Sequence, residues 1–184
     1  MPILVVVTGP PAAGKSTLAA RLADDLGFVL LAKDALKEAI AEGWGVSTLD
    51  ESRRAGAAAV RALYAMGAEL LGRGVSVVME SAFHRGLAEA DLVGLLALAE
   101  AVVVDCRAPR ALCLERYVAR AGSVERHRCH FDAERVAAGA LDWGVWEPLD
   151  LDVPTLRVDT TEGYVPAYDD VVSFTTTGVV PLSA

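Results

Sequence analysis

Gly9-Pro-Pro-Ala-Ala-Gly14-Lys15-Ser16, set directly behind the apolar run Ile3-Leu4-Val5-Val6-Val7, constrains this chain more than any other stretch. Two glycines at that spacing, followed by lysine and a hydroxyl residue, make a loop whose backbone N–H groups point inward at phosphate oxygens. A strand must enter such a loop and a helix must leave it, and the dipole of that helix adds positive potential at the same point. Gly9, Ala12, Ala13 and Gly14 bring backbone to the phosphates, and Lys15 reaches the outer ones as a mobile charge. The Ser16 hydroxyl ligates Mg²⁺, and Thr17 lies one residue deeper beside the inner phosphate. The expected ligand is ATP or GTP with Mg²⁺.

A chain of 184 residues, 53% apolar and only 6% aromatic, can bury one core rich in Ala, Val and Leu, so one domain over 1–184 is expected. A net charge of −8 argues against a protein whose main task is gripping nucleic acid. Cys106, Cys113 and Cys129 have neither metal nor redox spacing, which suits a reducing, cytoplasmic compartment. The apolar N-terminus has no basic leader and runs straight into the loop, so it reads as a strand, and nothing reaches the length of a membrane span. Composition does not choose between a monomer and a homodimer.

Strands and helices alternate along the chain. Strands are expected at Ile3 to Val7, Phe28 to Ala32, Val75 to Met79, Ala101 to Cys106 and Thr155 to Asp159. Helices are expected at Lys15 to Leu26 with Gly27 closing it, near Asp34, from Asp50 to Leu71, and from Gly86 to Ala99. Pro109 opens another that carries Arg110 to Arg120, and further helices are expected near Asp132 to Ala138 and Asp169 to Phe174. Such alternation implies right-handed crossovers and a parallel sheet covered on both faces, with ligands beyond the carboxyl ends of its strands. Three apolar strands end there in acid, Glu80, Asp105 and Asp159, and each is equally open to a metal-side role or to capping a turn.

Basic residues are unevenly distributed. Lys15, Lys33 and Lys37 are the only lysines, and half of the fourteen arginines lie between Arg107 and Arg135. Arginine's planar fork suits phosphate oxygens, so that cluster is a candidate second clamp, with a solvated helix face as the plainer alternative.

The loop, the segment Phe28-Val-Leu-Leu-Ala-Lys-Asp34-Ala-Leu-Lys37, the strand end Val77-Val78-Met79-Glu80-Ser81 and Leu114-Glu-Arg116-Tyr-Val-Ala-Arg120 occur in order over about residues 3 to 160. Together they resemble the small P-loop kinases that include chloramphenicol phosphotransferase, the zeta-toxin kinases and polynucleotide 5′-kinases. The resemblance implies a three-layer P-loop NTPase fold of class α/β, with a five-stranded parallel sheet in the order 2-3-1-4-5 and a helical lid over approximately 109–140. It makes Glu80 the metal-side acid with Ser16, and leaves Asp105 a structural residue. It makes Asp34 the base that takes a proton from the acceptor hydroxyl, where an N-cap role is the alternative. Arg116 and Arg120, four apart on one helix face, would close over the phosphates. Arg126, His127, Arg128 and His130 continue the lid, and Arg85 and Arg128 become substrate-side candidates, with His84 beside them. Thr160 and Thr161 stand where such kinases hold the base largely through backbone.

Trp143 and Trp146 lie where a substrate or adenine edge can stack, although ordinary packing is the plainer reading for them and for Trp44. Transfer of the γ-phosphate to a hydroxyl of a small molecule (a metabolite, an antibiotic or a nucleotide-like compound) is therefore expected. A P-loop regulatory module and a polynucleotide 5′-kinase are the alternatives; the net charge weakens the second, and the seven clustered arginines keep nucleic acid in view.

Overall fold

The computed structural model describes residues 1–124, 126–139 and 144–178. Ile3–Thr8 (β1) is buried along all but its first residue, as a run of Leu and Val demands of a strand covered on both faces. It lies between Val77–Glu80 (β3) and Glu100–Arg107 (β4). Val29–Ala32 (β2) flanks β3 and Thr155–Asp159 (β5) flanks β4, giving an all-parallel, five-stranded sheet in the order 2-3-1-4-5, as expected. The edge differs from the centre: β5 alternates exposed and buried residues, whereas β3 is buried throughout.

Period two sorts the central strands into two cores. Val5, Val7 and Val104 pack with Leu18 and Leu22 of Lys15–Leu26 (α1) and Phe174 of Tyr168–Thr177 (α7). Leu4, Val6 and Val103 pack with Leu63 of Leu49–Gly72 (α3) and with Leu92 and Leu95 of Glu89–Leu96 (α4). Each fully buried Leu or Val contributes about 1.5–3 kcal/mol relative to exposure, so the three layers hold one another in place. Lys33–Trp44 (α2) follows β2. Arg110–Ala121 (α5), a 3₁₀ turn at Arg128–His130 and Asp132–Ala137 (α6) make up the expected lid. Among the described residues no helix is long and apolar enough to cross a membrane.

Two boundaries shift for identifiable reasons. The long helix starts after Thr48 rather than at Asp50. The Thr48 hydroxyl accepts from the Glu51 N–H (3.3 Å) and Glu51 Oε2 accepts from the Thr48 N–H (3.0 Å), a reciprocal cap stronger than either single side chain. β3 begins later than expected and extends through Glu80, which stays in register with Val7. That ladder carries Glu80 to the carboxyl edge of the sheet.

Candidate active site

Where β1 ends, the chain turns across the end of β4. A Cβ on Gly9 (φ +141°) would lie 2.3 Å from the Cys106 carbonyl oxygen, so only glycine lets the loop cross there. Ala12 sits at φ +59°, the left-handed region that side-chain-bearing residues seldom adopt and that recurs at ligand loops. Gly14 (φ +78°) then enters α1, whose N-terminus has no side-chain cap and no acid in its first turn. The amide N–H groups there are left for an anion. Lys15 is buried and donates from Nζ to the Pro10 carbonyl (2.8 Å); burial lowers its pKa, and the Glu80 carboxylate opposes that.

Of the three strand-end acids, only Glu80 faces the cleft that the loop opens onto. Asp105 is buried against Arg107 Nη2 (2.7 Å), the structural part expected of it, and Asp159 accepts from the Thr161 N–H (2.7 Å). Glu80 is buried beside Lys15 and Ser16; burial raises its pKa, with Lys15 and the Ser16 hydroxyl pulling it back. Ser16 and Glu80 together offer hard oxygen donors, which fits Mg²⁺: that ion takes one or two protein oxygens and completes its shell with phosphates and water. Among the described residues no cluster of three or more His, Cys, Asp or Glu provides an all-protein metal cage.

Asp34, in the first turn of α2, opens on the same cleft of about 930 Å³. The N-cap of α2 is Ala32 and no side-chain cap bond is made, so capping does not account for Asp34. Lys33 Nζ donates to its Oδ1 (2.9 Å) and Arg126 Nη1 to its Oδ2 (3.1 Å). Burial alone would raise its pKa, but Lys33, His130 and Arg126 together hold the carboxyl well below the usual range.

Arg126 also donates from Nε to Asp132 Oδ2 (2.7 Å), and Asp132 accepts the Tyr117 hydroxyl. His130 Nε2 meets Glu38 Oε1 at 2.7 Å. Ser52 donates to the Cys129 carbonyl (2.6 Å) and accepts from Lys37 Nζ (2.8 Å). These bonds tie the segment after α5 to α2 and α3, and a satisfied buried network of this kind defines one arrangement sharply.

The structure brings Lys15, Ser16, Thr17, Glu80, Asp34, Arg116 and Arg120 to one cleft, with Ala12 and Gly14 in its wall. Arg116 Nη2 donates to the carbonyls of Thr160 and Thr161 (3.0 Å each), while Arg120 Nη2 pairs with Asp132 Oδ2 (3.9 Å) and its buried Nε has no hydrogen-bond partner among the described residues. Thr160 is placed as a brace rather than as an open base-holding group. Its N–H bonds to the Arg107 carbonyl (2.8 Å), its own carbonyl accepts from Arg116, and its hydroxyl donates to the Ala13 carbonyl (2.9 Å). Arg85 and Arg128 are not brought in: Arg85 pairs with exposed Asp150 (2.9 Å), and Arg128 points from an exposed position of the 3₁₀ turn. His84 lines the cleft and packs against Trp146, ring centres 5.1 Å apart. Trp44 is exposed, and Trp143 lies outside the described residues.

Sequence reasoning missed Lys33, Lys37, Ser52 and Asp132, all of which line the cleft, and had Arg135 there only as a member of the arginine cluster. One signal was available: every lysine of the chain opens on it.

A family model described as AAA domain matches residues 4–140. A candidate kinase from Chloroflexus aurantiacus J-10-fl is 34% identical, with 97% of this chain and 98% of that one covered and a TM-score of 0.82. A sugar kinase from Janibacter sp. HTCC2649 (18% identical, 100% of both chains, TM-score 0.63) is similar in fold. So is the APS kinase of Mycobacterium tuberculosis, solved with AMPPNP and APS (17% identical, 96% of both chains, TM-score 0.62). No curated protein matches the sequence. These relatives belong with the broad kinase-like P-loop group and do not single out chloramphenicol phosphotransferase or a polynucleotide 5′-kinase.

Proposed function

Because the chain belongs to the AAA-domain family matched over residues 4–140, with a candidate kinase among its relatives, we propose that it is a phosphotransferase that moves the γ-phosphate of ATP or GTP to a hydroxyl of a small molecule. The observation that carries this reading is the opening of Asp34 onto the same cleft as Lys15, Ser16 and Glu80. A module that only binds or hydrolyses nucleotide needs no acid facing an acceptor.

In this reading the α1 amides and Lys15 neutralise the β- and γ-phosphates, and Ser16 and Glu80 hold Mg²⁺, which when bound draws charge from the phosphate oxygens. Asp34 fixes the acceptor hydroxyl in line with the γ-phosphorus. The hydroxyl oxygen bonds to phosphorus, the bridging oxygen leaves with the nucleoside diphosphate, and the hydroxyl proton passes to Asp34. A carboxylate held so far into its ionised form is a weak base. It mainly orients the hydroxyl and takes the proton late, when the forming P–O bond has made that proton acidic. Each Asp34 oxygen keeps a second lone pair beyond its bond to Lys33 or Arg126, so the hydroxyl has an acceptor to meet.

A screen of antibiotics, nucleosides and sugars for nucleotide consumption, read by the mass of phosphorylated product, tests the proposal. Transfer to at least one acceptor is expected, falling to background in Lys15→Ala with the fold intact. Nucleotide hydrolysis indifferent to every acceptor and to Asp34→Asn would instead make the chain a nucleotide-hydrolysing module.

A further inference from the structure

We propose that the acceptor carries an anionic group, a phosphate or a carboxylate, received by Lys37 and Arg135 beside the hydroxyl that Asp34 orients; this rests on the phosphotransfer reading above. The cations of the cleft fall into two sets. Lys15 and Arg116 stand at the phosphate-loop end, Arg120 reaches to Asp132 (3.9 Å), and Arg53 lines the cleft from an exposed position. On the far side, Lys33 and Arg126 are balanced by Asp34 and Asp132, and His130 faces Glu38. Lys37 and Arg135 also line the cleft, and among the described residues neither has a carboxylate within ion-pair distance.

The local chemistry is that of a receptor awaiting a counter-charge. Lys37 is buried, and its one hydrogen-bond partner among the described residues is Ser52 Oγ, whose own proton goes to the Cys129 carbonyl. An ammonium has three donors, so two remain. Arg135 Nε is buried without a hydrogen-bond partner among the described residues. Burial and the neighbouring charges of Lys33 and Arg135 all disfavour the charged form of Lys37, with Cys129 and Asp34 opposing. A buried cation lacking a partner is costly, and an anion bridging Lys37 and Arg135 removes both the repulsion and the unfilled donors.

Spacing gives the substrate a shape. Asp34 and Lys37 are three residues apart on α2 and share a face, with Cβ atoms about 5–6 Å apart. Hydroxyl and anionic group therefore approach the same face of α2, which an acceptor carrying both on one short skeleton, such as a hydroxy acid or a phosphorylated polyol, can meet. Ala57, Gly56 and Val60 of α3 form a small, largely apolar wall beside them, which suits a compact carbon skeleton.

Inorganic phosphate titrated calorimetrically onto the full chain, with Mg²⁺ and a non-hydrolysable ATP analogue filling the phosphate loop, tests the receptor directly. One phosphate per chain is expected, bound at least tenfold more weakly by Lys37→Met and by Arg135→Gln, with nucleotide affinity retained. No binding of phosphate or acetate to the wild-type chain overturns the proposal, as does equal binding by the folded variants. Should Lys37→Met fail to fold because the Ser52 tie is lost, Arg135→Gln carries the test alone, since no packing bond depends on its Nε. Glycerol, glycerate and glycerol 3-phosphate then form a matched acceptor set. Use of an anionic member at least tenfold better than glycerol in kcat/KM supports the inference, and preference for glycerol overturns it. Phosphate binding that the variants lose, combined with transfer to no acceptor at all, defeats the phosphotransfer reading while the anion receptor stands, so the two ideas fail separately.

Discussion

The two ends of the cleft are built by different means. At the phosphate end, position is set by backbone within a few residues: Gly9 is pressed against the Cys106 carbonyl, and Ala12 and Gly14 are held left-handed. At the acceptor end, position is set by side chains that meet across the chain. Arg126 with Asp34 and His130 with Glu38 each join residues 92 apart, and Ser52 with Cys129 residues 77 apart. Backbone packed against backbone has one arrangement. The ion-pair network on the segment after α5 also holds one arrangement, but substitution can retune it one partner at a time, because each partner is a separate side chain. The molecule thus grips a phosphate chain with rigid parts and meets its acceptor with adjustable ones.

The comparison breaks most visibly at Asp34, where the two ends meet. Asp34→Asn keeps the size of the side chain and can still face Lys33 and Arg126, but it cannot take a proton. Transfer should fall by roughly two to four orders of magnitude, while nucleotide affinity by calorimetry changes little and the thermal midpoint drops modestly, because Lys33 and Arg126 lose their counter-charge. Transfer at the wild-type rate would remove Asp34 from the chemistry.

Gly9→Ala attacks the rigid end alone. The new Cβ meets a backbone oxygen at 2.3 Å, so the strand end or the loop must move, and φ +141° adds strain for any L side chain. A loss of about 2–4 kcal/mol in unfolding free energy is expected from overpacking and backbone strain together, with nucleotide binding weakened in parallel. Gly56→Ala, in the acceptor wall, is the contrast: the added Cβ would meet only Lys37 side-chain carbons at 3.9 Å, and stability should hold or rise slightly. If the two variants are equally stable by chemical denaturation, the claimed rigidity of the phosphate end is wrong.

The same division explains what could be read before the fold was known. The loop and the five strands were legible because they depend on local spacing and on continuous Val and Leu runs, whereas the sheet order, and with it the choice of Glu80, came from the resemblance to the small P-loop kinases. The pairing of Asp34 with Arg126 was not legible, because Arg126 and the Asp132 that holds it have no visible tie to α2 until α5 and the 3₁₀ turn bring them back over it. Arg85 and Arg128 were drawn in for their charge alone; position then put one on Asp150 and the other in solvent. Thr160 illustrates a third case: its location was expected, but its hydroxyl and both its backbone groups are already engaged within the protein.

A pH profile separates the two carboxylates of the cleft. Burial raises the pKa of Glu80, so on acidification Glu80 protonates before an ordinary glutamate would and ceases to be a ligand for a cation. Asp34, depressed by Lys33, His130 and Arg126 despite its burial, stays ionised over the same range. kcat/KM for Mg·nucleotide should therefore fall about tenfold per pH unit below the Glu80 value, and that limb should disappear in Glu80→Gln. It should persist in Asp34→Asn, moved to lower pH because the Asp34 charge helps to raise the Glu80 pKa. A limb lost in Asp34→Asn and kept in Glu80→Gln would reverse the assignment of the two acids.

The smallest expected effect sharpens the boundary between the two ends. Arg116 lies on the lid helix, yet its guanidinium bonds to the carbonyls of Thr160 and Thr161 rather than standing free in the cleft. Thr160 in turn braces the loop through Ala13. Arg116→Ala should loosen that brace, at the cost of a charged hydrogen bond in a half-open setting, about 1 kcal/mol. The nucleotide KM should rise roughly three- to tenfold, with kcat within about twofold, because the residue acts by positioning the loop. If Arg116 instead neutralises the phosphoryl group in flight, kcat falls and KM holds. Thr160→Ser, which keeps the hydroxyl donor, should leave both constants near wild type, whereas Thr160→Val should reproduce the KM change of Arg116→Ala. Agreement between Thr160→Val and Arg116→Ala assigns Arg116 to the rigid end of the cleft despite its place on the lid; a fall in kcat confined to Arg116→Ala returns it to the adjustable end.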